Sequence, residues 1–325
     1  MTAASVLLAQ LPSNHGGYGP DGLPVRDRLI LDMLAAEQSP PYEWVQLVSQ
    51  KGDRTLRLLV GADAVKIGDE TDAIRVNLCQ LAAQELADGH NCALLTPKLN
   101  DLVWEQSAIK LTPSTISPYP ADATGAMVQH SRMIDAKLPP QFPPNMLIGN
   151  VGKGAINSTL LWKPQPLPGK MAIYGWHVGK TYPGARPAAT SDGGHVIQPE
   201  STLHVAPFVD YSATVRFVRR EVELSTPDGS RLMDLSEVAL DPDLCDLVSH
   251  AGPVIMRHPG VPCPESPTAL VGGGGGAKPP CGCPIPPAGT PGTTPSATTR
   301  EPFPTMAVVV GGVALASAVA YFATR

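Results

Sequence analysis

Residues 171–180 read MAIYGWHVGK, a short apolar and aromatic run closed by Gly179 and Lys180. It is too short for an ordinary helix and is rich in residues that favour pleated structure, so it reads as a buried strand. That strand delivers His177 near its end, and the role of this histidine is the central question of the sequence. On either side the text continues as strand: 145–149, 157–163, the wider run 170–178 and a long segment at 209–224. "STPDGSR" (225–231) reads as a turn into a shorter strand at 231–235. Upstream, the pattern is helical. Leu29, Ile30, Met33 and Leu34 after Pro24 space as one amphipathic helix. "YEWVQLVSQKGDRTLRLLV" (42–60) reads as a hairpin turning at "KGD". Asn77 and Gln80 form a capping-box pattern opening a helix through Asp88, with Gly89 as its stop. Thr96-Pro97 opens a second helix with Leu99, Leu102 and Val103 inward, and 124–137 forms a third, ended by "LPPQFPP". "DPDLCDLVSHAG" (241–252) closes the head as a short helix capped by Asp241. Helices and a hairpin followed by a mainly antiparallel sheet define an α+β class.

Composition narrows the functional classes. Net charge is −5, which leaves no basic footprint for nucleic acid. The 31 glycines and 36 prolines of 325 residues imply much loop, turn or linker. Six cysteines fall at 79, 92, 245, 263, 281 and 283, too sparse for a disulfide scaffold of this length. Cys281 and Cys283 form one Cys-x-Cys in a Pro/Gly segment, with no second pair to complete a four-thiolate zinc site. The opening "MTAASVLLAQLPSNHGG" has a short apolar run and no basic start, so it reads as a docking segment rather than a secretory signal.

Three regions follow: a head at 1–259, a Pro/Gly/Thr-rich linker at 260–304 and an apolar segment at 305–325. The linker contains five consecutive glycines and then "KPPCGCPIPPAGTPGTTP", which cannot supply a packed core. Residues 305–323 carry no charge, and about 19 residues at 1.5 Å rise span roughly 28 Å, near the bilayer hydrocarbon thickness. The expected element is a C-terminal transmembrane helix in contact with a membrane, a single pass with the head in the cytoplasm. Tyr321 and Arg325 suit an interface. Gly312, Ala316 and Ala320 make a small-residue face suited to helix–helix association.

Phosphate-loop, dinucleotide, His-Glu-x-x-His, EF-hand and G-x-S-x-G patterns are absent from the sequence. Three constellations remain. His177, His195 and His204 with Asp210 offer zinc-ligand types, but their spacing matches no established ligand pattern, and ordinary loop histidines are the simpler reading. No other cofactor is implied. Cys79, placed in the first turn of its helix, would combine with His177 and either Asp192 or Asp210 as a thiol set. Against that, Cys79 beside Leu78 and Leu81 reads as a small core residue. Tyr174, His177, Gln198, Asp210 and Tyr211 could line a cleft that binds a polar ligand; strand alternation puts 174 and 176 on one face and 177 on the other.

The landmarks "LLTPKLNDLVWEQSAIKLTP" (94–113), "MAIYGWHVG" (171–179), "VIQPESTLHVAPFVDYSATVRFV" (196–218) and "LDPDLCDLVSHAGP" (240–253) resemble an uncharacterised family of bacterial and phage proteins. The shared marks include Thr-Pro-Lys-x-x-Asp at 96–101. The resemblance implies Gly-His-Lys-Lys-Asp where this chain has "GNVGKGAI" (149–156), and Asp-Tyr-Ser-His-Gly where it has "DYSAT" (210–214). On that footing His177, Gln198, Pro199, His204, Asp210, Tyr211 and Ser212 are retained, while two polar positions have become Asn150 and Ala213. Losing one member of a cooperating catalytic set removes orders of magnitude in rate.

Two functions are therefore expected. The first is a membrane-tethered binding or structural module with a hydrolase-like head and an incomplete polar pocket, in a virion or cell envelope, holding a protein or envelope ligand through Tyr174, Gln198, His204 and Tyr211. The second is an envelope-acting hydrolase, on peptidoglycan or a similar polymer. It would use His177 as base and Asp210 to orient it, with Ser212 or Cys79 as nucleophile or water on a metal held by His177 and His204.

Overall fold

The computed structural model describes residues 2–118, 122–141, 143, 145–187 and 194–262. The chain begins with α1 (Ala4–Leu8) and α2 (Val25–Ala35), then the hairpin β1 (Trp44–Lys51) and β2 (Arg54–Gly61). A small pair, β3 (Lys66–Gly68) and β4 (Ala73–Arg75), leads to α3 (Gln80–Gly89), β5 (Cys92–Leu94), α4 (Pro97–Gln106), β6 (Ile109–Lys110) and α5 (Ala123–Asp135). Short strands β7 (Ile148–Gly149) and β8 (Lys153–Ala155) precede β9 (Ile173–Val178), β10 (Arg186–Pro187) and β11 (His195–Ser201). The last elements are β12 (Ala213–Thr214), β13 (Phe217–Arg219), β14 (Glu221–Thr226), β15 (Gly229–Asp234) and α6 (Leu235–Leu240).

The class is mixed α+β, and its two larger sheets are mainly antiparallel. In the six-stranded sheet, β2 pairs with β1 on one edge and with β13 and β14 on the other. The β1–β2 loop is only Gly52-Asp53, and Gly52 at φ +60° supplies the left-handed backbone such a two-residue turn needs. The second sheet runs β10-β11-β9-β8-β12, antiparallel except for the β8–β12 pair. Alternation along β13 and β5 feeds two cores. Phe217, Cys92 and Leu94 join one with α1, α2 and α3; Val218 and Ala93 join another with α4 and α6.

Several expectations need correction. The long strand at 209–224 is three short ones, β12, β13 and β14; at the break between β13 and β14 Arg220 turns inward to Asp234 and Ser236. Residues 159–161 are a 3₁₀ turn rather than strand, opened by Ser158 Oγ accepting from Leu160 N–H. The closing helix begins earlier, at Leu235, where Asp234 and Glu237 form a reciprocal capping box; only Cys245–Leu247 of the expected segment is helical, as 3₁₀. In α3, Cys79 is the cap residue, and Asn77 turns away to donate to Asp210 O. Thr96 caps α4 with Pro97 in the first turn, as the sequence predicts. The opening segment docks: Ala4, Leu7 and Leu11 are buried in the core with β3 and α2. The linker's Cys-x-Cys and the 305–323 segment lie outside the described residues. Among the described residues no helix is long and apolar enough to cross a membrane.

Candidate functional site

The site grows from a local fault in β9. Gly175 and Trp176 have φ of +138° and +60°, so the strand's alternation reverses there. Tyr174 and His177, which a regular strand would send to opposite faces, therefore converge on one carboxylate. Tyr174 Oη donates to Asp101 Oδ1 at 2.7 Å, and His177 Nε2 meets the same oxygen at 2.7 Å. His250 Nε2 takes Oδ2 at 2.9 Å. Trp104, one turn along α4 from Asp101, stacks on the His177 ring at 5.7 Å and 13°. Asn150, itself at φ +61°, clamps the backbone of His177: it accepts from His177 N–H at 2.8 Å and donates to His177 O at 2.6 Å. The Asn150 position is thus part of the scaffold that aims His177.

The electrostatics follow from that geometry. Burial by itself would raise the Asp101 carboxyl. The hydrogen bonds from His177 and His250 outweigh it and hold the group below the usual carboxylate range. An ionised carboxylate accepts only, so both histidines present Nε2–H to it. Burial also pushes the Tyr174 phenol upward, with Asp101 adding to the effect. His177 is sealed at 3 % exposure. The His250 side chain is 29 % exposed and borders a cavity of about 180 Å³. Asn157, Glu200, Thr159 and Tyr174 share that cavity.

Asp210 belongs to a different group. Its Oδ2 accepts from Lys153 Nζ at 2.9 Å, and its Oδ1 from Ser212 Oγ and N–H at 2.5 and 2.8 Å. Burial opposes ionisation here too, but the Lys153 ammonium and the Ser212 donors keep Asp210 low. Lys153 Nζ lies 5.0 Å over the Trp176 ring, and Trp176 contacts Tyr211, whose ring meets His130 edge-on at 5.4 Å. Burial pushes His130 down to about 4.

The expected cleft is therefore divided. Tyr174 and His177 face Asp101, while Asp210, Tyr211 and Ser212 sit with Lys153 and Trp176; His177 and Asp210 hydrogen-bond to different partners. Gln198 lies on β11 and donates to Pro199 O. His204 stacks on Phe208 at 4.3 Å. His195 stands opposite Val178 and His177 opposite Val196, so the two imidazoles leave opposite faces of the β9–β11 pair. The three histidines proposed for zinc are not gathered, and no group of three or more metal-ligating side chains occurs among the described residues. Cys79 is fully buried, and burial with the Asp27 carboxylate drives its thiol up rather than toward thiolate. Asp192 lies outside the described residues.

Asp101, His250 and Lys153 are site residues to which the sequence alone assigns no role. The available signal was an aspartate between the inward Leu99, Leu102 and Val103 of a helix. A carboxylate there must find donors or remain an unpaired buried charge. Nothing local marks His250, which reaches Asp101 from 149 residues away in sequence. In comparisons with known proteins, no family model, curated protein or solved structure matches the chain.

Proposed function

We propose that the head is a binding or structural module, held at a membrane by the uncharged 305–323 segment through the 260–304 linker, as a virion or cell-envelope component. One observation carries this reading: the base and nucleophiles expected from the sequence are engaged or buried away from solvent. His177 is enclosed by Asp101, Trp104 and Asn150, Ser212 and Lys153 are bound to Asp210, and the Cys79 thiol is in the core. Buried polar networks of this kind rigidify and specify a pocket without offering a free nucleophile. The ligand site in this reading is the 180 Å³ cavity, whose wall includes Tyr174 and the accessible edge of His250.

A hydrolase is the second reading, favoured by the His250–Asp101 pair, since a carboxylate-oriented imidazole facing a cavity is the form of a general base. The two readings separate in one assay. The full chain is incubated with purified peptidoglycan, beside His177→Ala and His250→Ala variants, and released fragments are quantified. The module reading expects no release above buffer from any of the three. Release by the wild type that either substitution abolishes would overturn it.

A further inference from the structure

We propose that the head lies against the surface of an anionic bilayer through a patch made by Trp162, Lys163, Lys170, Leu203 and Val205. The proposal rests on the tethered-module reading and names the face that the tethered head turns to the membrane.

Single exposed aliphatic side chains are ordinary on a protein surface. This pair is set apart by its degree of exposure and its neighbours. Leu203, at 83 %, is the most exposed large hydrophobic side chain among the described residues, and Val205 is 52 % exposed. His204 between them is held back against Phe208. Lys170 stands beside both: its backbone bridges to Val205, and its Nζ donates to Leu203 O at 3.3 Å. Its loop, residues 162–170, also carries the half-buried Trp162 and the exposed Lys163. Glu200 is the one acidic residue in 158–171 and 200–209, and Ser158 Oγ engages its carboxylate. Exposed aliphatics flanked by lysines and an indole suit the interfacial zone of a bilayer, where apolar burial and attraction to anionic headgroups add.

The second, independent observation is where the chain leaves the head. Residues 257–262 run over the same loop. Trp162 Nε1 donates to Arg257 O at 3.0 Å, His258 Nε2 meets Lys170 O at 2.6 Å, and a Cβ on Gly260 would stand 2.6 Å from Pro168 O. The sequence continues with the 263–304 segment and the uncharged 305–323 run. The chain therefore departs toward its expected anchor from the face that carries the patch. A head held to the bilayer from that point meets it with Leu203 and Val205 foremost. Tethering makes the contact intramolecular, so a weak surface affinity is enough.

The test uses the tryptophans, at 44, 104, 162 and 176, none of which lies in the 305–323 run. The full chain is reconstituted into vesicles of phosphatidylcholine and phosphatidylserine, with and without a nitroxide on the phosphatidylcholine headgroup, and tryptophan quenching is measured. The wild type should be quenched. Quenching should fall at least about twofold in Leu203→Asp/Val205→Asp, in Lys163→Glu and in vesicles of phosphatidylcholine alone, and largely disappear in Trp162→Phe. The three substituted surface side chains project to solvent, so the urea midpoints of those variants should match the wild type. An unquenched wild type, undiminished quenching in either surface variant or in phosphatidylcholine alone, or quenching that persists in Trp162→Phe would each overturn the proposal. Flotation of the same samples separates this result from the tether. A wild type that floats unquenched overturns the docking face and leaves the tether standing, and one that does not float overturns both. Flotation lost in Leu203→Asp/Val205→Asp supports the docking face and removes the tether.

Discussion

Asp101 is the residue on which the site depends. It accepts from Tyr174, His177 and His250 at once, so its removal leaves two buried donors and the part-exposed His250 without their acceptor. Asp101→Ala should cost about 1–3 kcal/mol for each buried donor left without an acceptor, read as a fall in the urea midpoint. Asp101→Asn, which keeps one acceptor oxygen, should cost less. His130 gives a second prediction at this scale. Its folded pKa of about 4 lies below the model-compound value of 6.5, so the unfolded chain binds the proton first as pH falls. The corresponding stability is fully present above pH 6.5 and is lost progressively toward pH 4. Since His130 Nε2 has no hydrogen-bond partner, His130→Phe should reduce the slope of stability against pH in that window, by up to one proton. An unchanged slope in pH-resolved urea titrations would show that other groups govern it.

At the scale of elements, the broken alternation of β9 decides which side chains meet. Gly175 is at φ +138°, and a Cβ there would be 3.5 Å from its nearest neighbour, so space is adequate and only the backbone conformation is demanding. Gly175→Ala should therefore cost on the order of 1–3 kcal/mol in thermal or urea unfolding and displace the His177 ring, seen as a shift of its imidazole NMR resonances. The caps of α4 and α6 are simpler. Thr96, Pro97, Asp234 and Glu237 form local patterns, and these are legible in sequence because a cap needs only residues three or four apart. The α4 start is legible in this way. That of α6 is hidden because residues 231–235 also carry a strand pattern, and β15 does run into Asp234.

Across the whole head, the N-terminal segment is part of the core. Leu7 is buried with Ile67 and Ile74, and Ala4 N–H donates to Asp72 O at 2.9 Å. Leu7→Ala should lower stability by about 2–5 kcal/mol in urea unfolding, as for other large-to-small core changes. A segment acting only as a leader would leave stability unaltered. The same scale shows why the expected cleft divides. Tyr174 lies on β9 of the five-stranded sheet and Asp210 in the loop before β12, but β9 turns Tyr174 and His177 toward α4 while Trp176 goes to the Tyr211 side.

By itself the sequence determined the α+β class, the hairpin at 44–61, the four helices with clear periodicity or caps at 25–35, 80–89, 97–106 and 123–135, and the break in composition after residue 260. These follow from short-range rules: side-chain period, turn glycines, caps and the burial of apolar faces. Only the tertiary structure decided which polar groups became partners. Asp101, Tyr174, His177 and His250 lie 73 to 149 residues apart from Asp101 to each partner along the chain, and Lys153 reaches Asp210 across 57. Such pairings depend on how sheets and helices pack, and on two left-handed residues in β9 whose conformation the surrounding structure must hold in place.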